Sequence, residues 1–329
     1  MADILFHVGL PKTGTTYIQE SLSFNRDLLS TYSIRYHQIG TAKCTCHWWF
    51  ATSFFEHLTD YAPVRTALKN GSSIEELTTI GDESVSAFKD ELSHYDSVIL
   101  SAEQFFFLPK LVLSRIKDFF SECGAKVKVV VYLRDFYELA ISELNQKVKM
   151  GMGRLNDLVE SLPTFNVKDN LENYVNVFGK ESIEIRDFSR LTSNNVDLAF
   201  DLLNALTNSP IQLAKANSVS NLSLSGTALQ IIDLINNDGF DAPAHSKIRD
   251  RLIESLCLLN GHKLSPSKST IESFYRKIEP DLLYLSNTFG FEFEHKPNSY
   301  SNHSSQVNNT LSVEEVAKVI ANLLREFDV

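Results

Sequence analysis

The sequence predicts an α/β protein with a parallel sheet at its centre, and three observations lead to that prediction. Short runs rich in Val, Ile and Leu alternate along the chain with stretches of helical periodicity. These runs are apolar almost throughout, which is typical of strands that are buried on both faces of a sheet. A chain of 329 residues, 43% of them hydrophobic, is also long enough to bury a large core. We therefore predict three layers, with helices on both faces of the sheet.

Four runs are predicted strands, at residues 4–8, 97–100, 127–133 and 183–185. The first leads into Gly9 and then into a helical stripe that contains Tyr17 and Leu22. The third leads into a helix whose apolar face includes Leu139 and Leu144. Because ligands of such sheets bind at the carboxyl ends of the strands, the residues that follow each strand are the first candidates for a site.

The other predicted elements are helices. Residues 60–95 have helical periodicity and a polar outer face, and the chain is mostly helical from Ser223 onward. A final helix begins at a capping-box pair, Ser312 and Glu315, and continues with an apolar stripe. The sequence therefore predicts a helical C-terminal extension beyond the sheet.

Composition and charge exclude several classes of protein. The 31 basic and 41 acidic side chains give a net charge of −10, which argues against a protein that coats nucleic acid. No apolar run is long enough for a transmembrane segment, and the N-terminus lacks the pattern of a signal peptide. Four cysteines do not indicate a disulfide framework in a chain of this length. We predict one cytoplasmic domain over 1–329, with its motifs in 1–236 and the helical extension in 237–329.

A glycine-containing loop follows the first strand and reads Gly9-Leu10-Pro11-Lys12-Thr13-Gly14-Thr15-Thr16. Backbone N–H groups in such a turn, at the positive end of a helix dipole, favour a phosphate. The two glycines have the spacing of the nucleotide P-loop, which predicts a sheet of the P-loop nucleotide-binding type. However, Thr15 occupies the position of that loop's lysine, and the lysine of this loop is Lys12. A kinase needs the helix-start lysine for its β- and γ-phosphates, so Lys12 favours a shorter phosphate chain.

This loop resembles the 5′-phosphosulfate loop of the sulfotransferase family. Members of that family use 3′-phosphoadenosine 5′-phosphosulfate (PAPS) as the sulfuryl donor and release adenosine 3′,5′-bisphosphate (PAP). The family's second element resembles Arg134 and Ser142, which lie eight residues apart after the strand 127–133. The resemblance implies that this guanidinium and this hydroxyl bind the donor's 3′-phosphate, to which both groups are suited. It also implies that the donor's other phosphate contacts Pro11, Lys12, Thr13, Gly14, Thr15 and Thr16.

The resemblance covers about residues 4–236 and is of the bacterial type. The R-K-G-x-x-G-D-W-K loop of the animal cytosolic branch is missing from the sequence, so the small aromatic acceptors of that branch are not implied. The net charge of −10 disfavours a polyanionic acceptor, because long-range repulsion slows the encounter. We expect the acceptor to be a hydroxyl-bearing glycan, glycolipid or small alcohol.

Transfer to a hydroxyl requires a general base, and three residues are candidates. Glu103 follows the strand 97–100, at the place where the family carries a catalytic histidine or a Ser-x-Glu motif. His47 is the second candidate, because bacterial relatives carry a histidine in the acceptor region, and His37 is the third. Without the resemblance, a glutamate after a strand is more often a charge at the start of a helix.

Lys12 is the other predicted catalytic residue. The resemblance implies that it lies beside the oxygen that bridges phosphorus and sulfur, where it stabilises the charge that develops as the bond to sulfur breaks. No metal is predicted. The C-x-C-H cluster of Cys44, Cys46 and His47 lacks a second ligand pair with the spacing of a zinc site.

Several of these residues also have a purely structural interpretation. The loop threonines are good helix caps, Arg134 could pair with Asp135, and Ser142 could fill a helix interface. Trp48 and Trp49 belong either to a core helix or to an acceptor pocket. Two alternative functions also remain open: a P-loop kinase that uses ATP and magnesium, and a non-catalytic module that binds the donor.

Overall fold

The computed structural model describes residues 2–39, 45–207, 210–214, 223–237, 247–259, 261 and 263–294. Over these residues the chain forms two compact units. The first contains the described residues within Met1–Asp135, Asn166–Ser218 and Tyr284–Glu292. The second contains the described residues within Phe136–Phe165 and Val219–Leu283, together with Phe293 and Glu294.

Five parallel strands form the sheet of the first unit. They are β1 (Asp3–Gly9), β2 (Ile34–Tyr36), β3 (Ser97–Ala102), β4 (Lys126–Leu133) and β5 (Ile183–Asp187). Their spatial order is β2-β3-β1-β4-β5, so β1 is central, with β3 on one side and β4 on the other. The chain builds β2 and β3 on one side of β1 and then crosses to the other side for β4 and β5. In open α/β sheets ligands typically bind at such a reversal, which here lies at the carboxyl end of β1.

Thirteen α-helices are present among the described residues. They are α1 (Thr15–Phe24), α2 (Arg26–Thr31), α3 (Ala62–Lys69), α4 (Ile74–His94), α5 (Lys110–Glu122), α6 (Phe136–Lys149), α7 (Leu155–Glu160), α8 (Val167–Phe178), α9 (Phe188–Ser193), α10 (Leu198–Leu203), α11 (Gly226–Asn237), α12 (Lys247–Cys257) and α13 (Lys268–Phe289). Shorter 3₁₀ helices lie at Trp48–Phe54, Leu58–Asp60, Glu103–Phe107 and Lys180–Ser182.

One face of the sheet is covered by α1, α2 and α10. Leu5, Ile99 and Val130 come from three adjacent strands and are fully buried in the core of this face. The helices contribute the leucine and isoleucine side chains that pack against them, namely Ile18, Leu22, Leu29, Leu198 and Leu202. Ile18 and Leu22 are four residues apart in α1 and therefore lie on one face, which is the pattern of a helix with one buried side.

The opposite face of the sheet is aromatic. Phe6 points to it because successive side chains of a strand alternate between the two faces. Its ring centroid lies 4.8 Å from that of Phe105, 6.0 Å from that of Phe120 and 6.3 Å from that of Tyr174. All four rings are fully buried, and the three partners come from the 3₁₀ helix Glu103–Phe107, from α5 and from α8. The sheet therefore has helical layers on both faces, as predicted.

In the second unit, asparagine side chains join α6 to the segment that contains α11. Asn145 donates a hydrogen bond to the Leu224 carbonyl at 3.1 Å and accepts one from the Leu224 N–H at 3.3 Å. Asn236, at the other end of α11, donates to the Val148 carbonyl at 2.9 Å. The helix is thus tied to α6 at both of its ends.

The predicted α/β class is confirmed, and each predicted strand is present with one or two additional residues at its ends. Strand β2 was not predicted, because three residues are too few to show a period. Residues 60–95 are helical as predicted but divide into α3 and α4, where Ser73 caps α4 in a capping box with Glu76. The helices beyond Ser223 are also confirmed. The helix predicted from Ser312 lies outside the described residues, and the single domain stays a prediction.

Candidate active site

Three neighbouring strands bring the predicted site residues of the first unit together. The loop 9–16 follows β1, Glu103 follows β3, and Arg134 follows β4. Because β1 lies between β3 and β4 in a parallel sheet, these three strand ends lie side by side. The topology therefore places an acidic residue on one side of the loop and a basic residue on the other.

The loop has the backbone conformation of an anion-binding turn. Lys12 and Gly14 have φ angles of 62° and 74°, which lie in the left-handed region. A side chain at Gly14 would start 2.5 Å from the Leu198 methyl group, so the position requires glycine for both φ and space. Gly14 is the N-cap residue of α1 and supplies no side-chain cap, and the first turn of the helix contains no acidic residue. The N–H groups at this helix start therefore suit an anion.

Side-chain contacts within the loop fix its shape. Thr13 is buried and donates its hydroxyl to the Leu10 carbonyl at 2.6 Å. A Cβ at Gly9 would lie 2.3 Å from the Thr15 methyl carbon, so the loop closes directly over that glycine. Thr16 is exposed, whereas Pro11 and Lys12 are half-buried. The residues that shape the loop are thus inside it, and Lys12 and Thr16 reach its surface.

Arg134 contacts the loop directly. Its Nη1 donates to the Lys12 carbonyl at 3.4 Å, and its guanidinium carbon lies 5.5 Å from the centre of the Phe188 ring. A planar cation that stacks on an aromatic ring while it donates to a carbonyl is held in a defined orientation. The positive charge of Arg134 therefore lies at the loop. Ser142, its predicted partner, is a half-buried residue of α6 in the second unit, and its part in binding stays a prediction.

Glu103 is joined to the loop by a side-chain hydrogen bond. Thr15, the first residue of α1, donates its hydroxyl to Glu103 Oε2 at 3.1 Å. Glu103 is half-buried at the start of its 3₁₀ helix, two residues beyond Ser101 in β3. The carboxylate thus lies at the helix start on which an anion would bind.

His47 is buried against the edge of β3. Its backbone N–H donates to the Ser101 carbonyl at 2.9 Å, and its ring Nδ1 accepts the backbone N–H of Ser101 at 2.9 Å. Burial lowers the pKa of His47 well below its usual value, and the charges of His37 and Arg26 act in the same direction. The imidazole is therefore neutral, with its proton on Nε2.

His37 is occupied by a buried ion-pair network. Its Nδ1 lies 2.6 Å from Glu91 Oε2 and its Nε2 lies 2.9 Å from Ser84 Oγ. Arg35 donates to the other oxygen of Glu91 at 2.8 Å. Burial acts to raise the pKa of Glu91, but the hydrogen bonds and charges of His37 and Arg35 outweigh it and hold that pKa below its usual value. Both nitrogens of His37 thus have partners away from the loop.

A buried polar group, which we call the Ser101 cluster, lies behind Gly9 and Glu103. It consists of His7, Gln19, His47 and Ser101. His7 Nδ1 lies 2.7 Å from Ser101 Oγ, and Gln19 Nε2 lies 3.2 Å from the same hydroxyl and 3.5 Å from the Ser101 carbonyl. Burial lowers the pKa of His7 to about 3, so this imidazole is neutral too. Sequence analysis did not single out Gln19 or Ser101, because Ser101 meets His7 only through the pairing of β1 with β3, and Gln19 reaches Ser101 from α1.

The two interpretations of Trp48 and Trp49 can be compared with the surroundings of these residues. Trp48 and Trp49 stack on each other with ring centroids 3.8 Å apart and are half-buried, whereas Phe50 is fully buried in the aromatic core. The part of the tryptophans in an acceptor pocket stays a prediction.

Within the described ranges, no three His, Cys, Asp or Glu side chains form a possible metal site, and Cys44 lies outside those ranges. No helix described in the structure is long and apolar enough to span a membrane.

Comparison with known proteins finds a distant structural likeness. No protein-family model matches the sequence, and no curated protein is found to be similar to it. Among solved structures, the chain is similar to one described as the crystal structure of a sulfotransferase from Alicyclobacillus acidocaldarius. The two chains are 14% identical with a TM-score of 0.42, over 89% of this chain and 98% of the other. The residues of this chain, and not that likeness, carry the functional proposal below.

Proposed function

We propose that the protein is an O-sulfotransferase that transfers the sulfuryl group of PAPS to an acceptor hydroxyl. One observation carries the proposal: at a loop and helix start without a side-chain cap, a guanidinium is hydrogen-bonded to the loop backbone and a carboxylate is hydrogen-bonded to the hydroxyl of the first helical residue. The N–H groups and the cations can stabilise the negative charge of the leaving group, and the carboxylate can accept the proton of the attacking oxygen. These are the two requirements of in-line transfer to an alcohol.

In this proposal the loop binds the donor's 5′-phosphosulfate. The N–H groups at the start of α1, that of Thr15 among them, and the hydroxyl group of Thr16 are the proposed donors to it. Arg134 and Ser142 are the proposed ligands of the 3′-phosphate. Lys12 is assigned to the bridging oxygen, which takes the electron pair when its bond to sulfur breaks. Losing one interaction of this kind typically raises the barrier by roughly 3–4 kcal/mol.

Glu103 is the proposed general base. As the acceptor oxygen forms its bond to sulfur, its proton passes to the Glu103 carboxylate, and PAP leaves with the electron pair of the broken bond. His47 is less suited to this role, because its Nδ1 already accepts the Ser101 N–H and its Nε2 carries the proton. The neutral ring therefore has no basic nitrogen left for an acceptor.

The proposed acceptor is a neutral or lightly charged glycan, glycolipid or small alcohol that is modified in the cytoplasm. Two features support a sugar. The net charge of −10 disfavours polyanions. The stacked, half-buried Trp48 and Trp49 offer the flat apolar rings on which sugar faces pack.

Titration calorimetry with PAP, run beside ATP with magnesium, tests the donor assignment. We expect PAP to bind without magnesium and to lose at least tenfold in affinity in Arg134→Ala, because the hydrogen bonds of a guanidinium to phosphate are charge-assisted. Arg65→Ala, which removes an exposed arginine of α3, is the matched control and should bind as the wild type does.

The opposite pattern would point to a kinase. If ATP with magnesium binds and PAP shows no advantage from its 3′-phosphate, the sulfotransferase proposal fails. If PAP binds but radiolabelled PAPS transfers no label to any member of a panel of glycans, glycolipids and alcohols, the donor-binding module replaces it.

A further inference from the structure

The Ser101 cluster lies directly behind the proposed reaction centre. His7 and Ser101 are opposite each other in the pairing of β1 with β3. The next residues on the same face of the two strand ends are Gly9, where the loop begins, and Glu103. The side-chain bond between His7 and Ser101 therefore links the two strand ends from which the loop and the carboxylate project.

The hydrogen bonds of the cluster hold the Ser101 hydroxyl in place. The Ser101 carbonyl can only accept, so the group of Gln19 that faces it is the amide nitrogen, which also donates to Ser101 Oγ. The serine oxygen has one proton and two lone pairs, so beside Gln19 it can share a hydrogen bond with His7 Nδ1, which lies 2.7 Å away. The bond between His7 and Ser101 therefore forms with either tautomer of a neutral His7.

Stability does not explain why these side chains are polar. His7 Nε2 is a buried nitrogen that has no hydrogen-bond partner among the described residues. A buried polar atom without a partner costs stability, whereas an apolar side chain of similar shape would fill the same space without that cost. A requirement for position at the strand ends accounts for the polar cluster instead.

We propose that His7 is a positioning residue, which acts through Ser101 to set the distance between Glu103 and the loop that begins at Gly9. The inference rests on the proposed function, since it takes Glu103 as the base. Small displacements of a reacting group reduce rates strongly, so loss of this link affects turnover more than donor binding.

Two substitutions of His7 separate position from packing. His7→Leu replaces the ring with an apolar side chain of similar size, which removes the bond to Ser101, and it should lower kcat roughly 10- to 100-fold. PAP affinity should stay within about threefold, because His7 does not belong to the loop. The thermal midpoint should not fall, because the variant removes a buried polar atom that has no partner. His7→Asn places an amide oxygen near the position of Nδ1 and should restore most of kcat. If His7→Leu turns over as the wild type does, or if His7→Asn is no better than His7→Leu, the positioning role is wrong.

A double-mutant cycle with Ser101→Ala tests the route. Because both substitutions break one bond, the double variant should lose no more kcat than the larger single loss. Losses that multiply would show that His7 does not act through Ser101. Ser101→Ala and His7→Asn also carry the test if His7→Leu does not fold.

The failure of this inference can be told from the failure of the proposed function. The nitrogen chemical shifts of the His7 ring report its bond to Ser101 without any assay of activity, and we expect the Nδ1 shift to change in Ser101→Ala. Wild-type protein that binds no PAP and transfers no sulfuryl group would overturn the proposed function, and the positioning role with it. Wild-type transfer together with an Nδ1 shift that Ser101→Ala leaves unchanged would overturn the positioning role alone.

Discussion

Two neighbouring residues of β1, Phe6 and His7, face opposite sides of the sheet and have opposite surroundings. The Phe6 ring packs against other rings, among them Phe105 and Phe120. The His7 ring meets the hydroxyl of Ser101, which is held in turn by an amide of α1. Both residues are fully buried, so depth in the core does not distinguish them. The two residues differ in what they contact: Phe6 belongs to a packed cluster of rings, and His7 belongs to the polar Ser101 cluster next to the loop.

The ring cluster around Phe6 contributes stability, whereas the Ser101 cluster around His7 costs some of it. A fully buried aromatic side chain contributes about 1.5–3 kcal/mol by leaving water. A buried polar atom without a partner, such as Nε2 of His7, costs about 1–3 kcal/mol. The sheet thus takes its stability from apolar side chains on both faces and keeps a costly polar cluster behind the proposed site.

The largest expected effect is on the aromatic face. Phe6→Ala should lower the free energy of unfolding by about 3–5 kcal/mol, because it opens a cavity in a fully packed ring cluster. Urea denaturation measures this change. The kcat of the protein that remains folded should fall less than in His7→Leu, because Phe6 packs on Phe105 in the 3₁₀ helix of Glu103 but makes no contact with the Ser101 cluster.

Phe6→Leu is the matched control, because it retains most of the volume and should cost less than about 1.5 kcal/mol. If Phe6→Ala lowers kcat as strongly as it lowers stability, the division of labour between the two faces is wrong.

The next effect is on catalysis. Lys12→Ala should raise the barrier to transfer by roughly 3–4 kcal/mol, a loss of about 10²–10³ in kcat, because it removes the cation assigned to the bridging oxygen. Its stability should change by less than about 0.5 kcal/mol, since Lys12 is half-exposed and alanine at a φ of 62° bears the same backbone strain.

Transfer from labelled PAPS and urea denaturation give the two quantities for Lys12→Ala. Lys89→Ala, at an exposed position of α4, is the control for loss of a positive charge. Near wild-type turnover in Lys12→Ala would contradict the mechanism.

Sequence periodicity was enough for the fold and for the loop. Apolar runs and helical stripes are local properties, and β1 with its glycine loop is a continuous segment. The short strand Ile34–Tyr36 could not be predicted, because it is a strand only through its pairing with β3. Residues 60–95 were predicted as helical, and the break before α4 was missed although the capping-box pair Ser73 and Glu76 marks it in the sequence.

The pairwise contacts of the candidate site were beyond prediction from the sequence. Glu103 and Thr15 are 88 positions apart and meet only because β3 lies beside β1. The same pairing joins His7 to Ser101 across 94 positions. Nothing in the local sequence signals a strand order, so residue types indicated the chemistry whereas the topology provided the geometry.

The bond between Thr15 and Glu103 gives the next prediction. Thr15→Val keeps the shape of the side chain but removes the hydroxyl that donates to the carboxylate. A hydrogen bond to a charged group contributes about 1.5–3 kcal/mol, so kcat should fall roughly 10- to 100-fold. Thr15→Ser, which retains the hydroxyl, should recover most of the activity. Equal activity in the valine and serine variants would show that the methyl group, and not the bond to Glu103, matters at this position.

The smallest expected effect is on the pH dependence of stability, which should distinguish His7 from Phe6. The pKa of His7 is lowered by burial from 6.5 to about 3. Between these values the unfolded chain binds a proton that the folded chain does not bind, so the free energy of unfolding falls as the pH falls. The slope from one such group is at most about 1.4 kcal/mol per pH unit. Above about pH 6.5 the ring is neutral in both states, and its contribution is constant.

Comparison of variants isolates this contribution. His47, whose pKa is also lowered by burial, acts in the same direction, but it is present in every variant and cancels in a difference. The stability of His7→Leu relative to the wild type should therefore increase as the pH falls from about 6.5 to about 4. Phe6→Leu should differ from the wild type by the same amount at every pH, because it removes no titrating group. A His7→Leu difference that is equally flat would mean that the His7 ring takes up a proton in the folded core, and the polar face would then hold a charge.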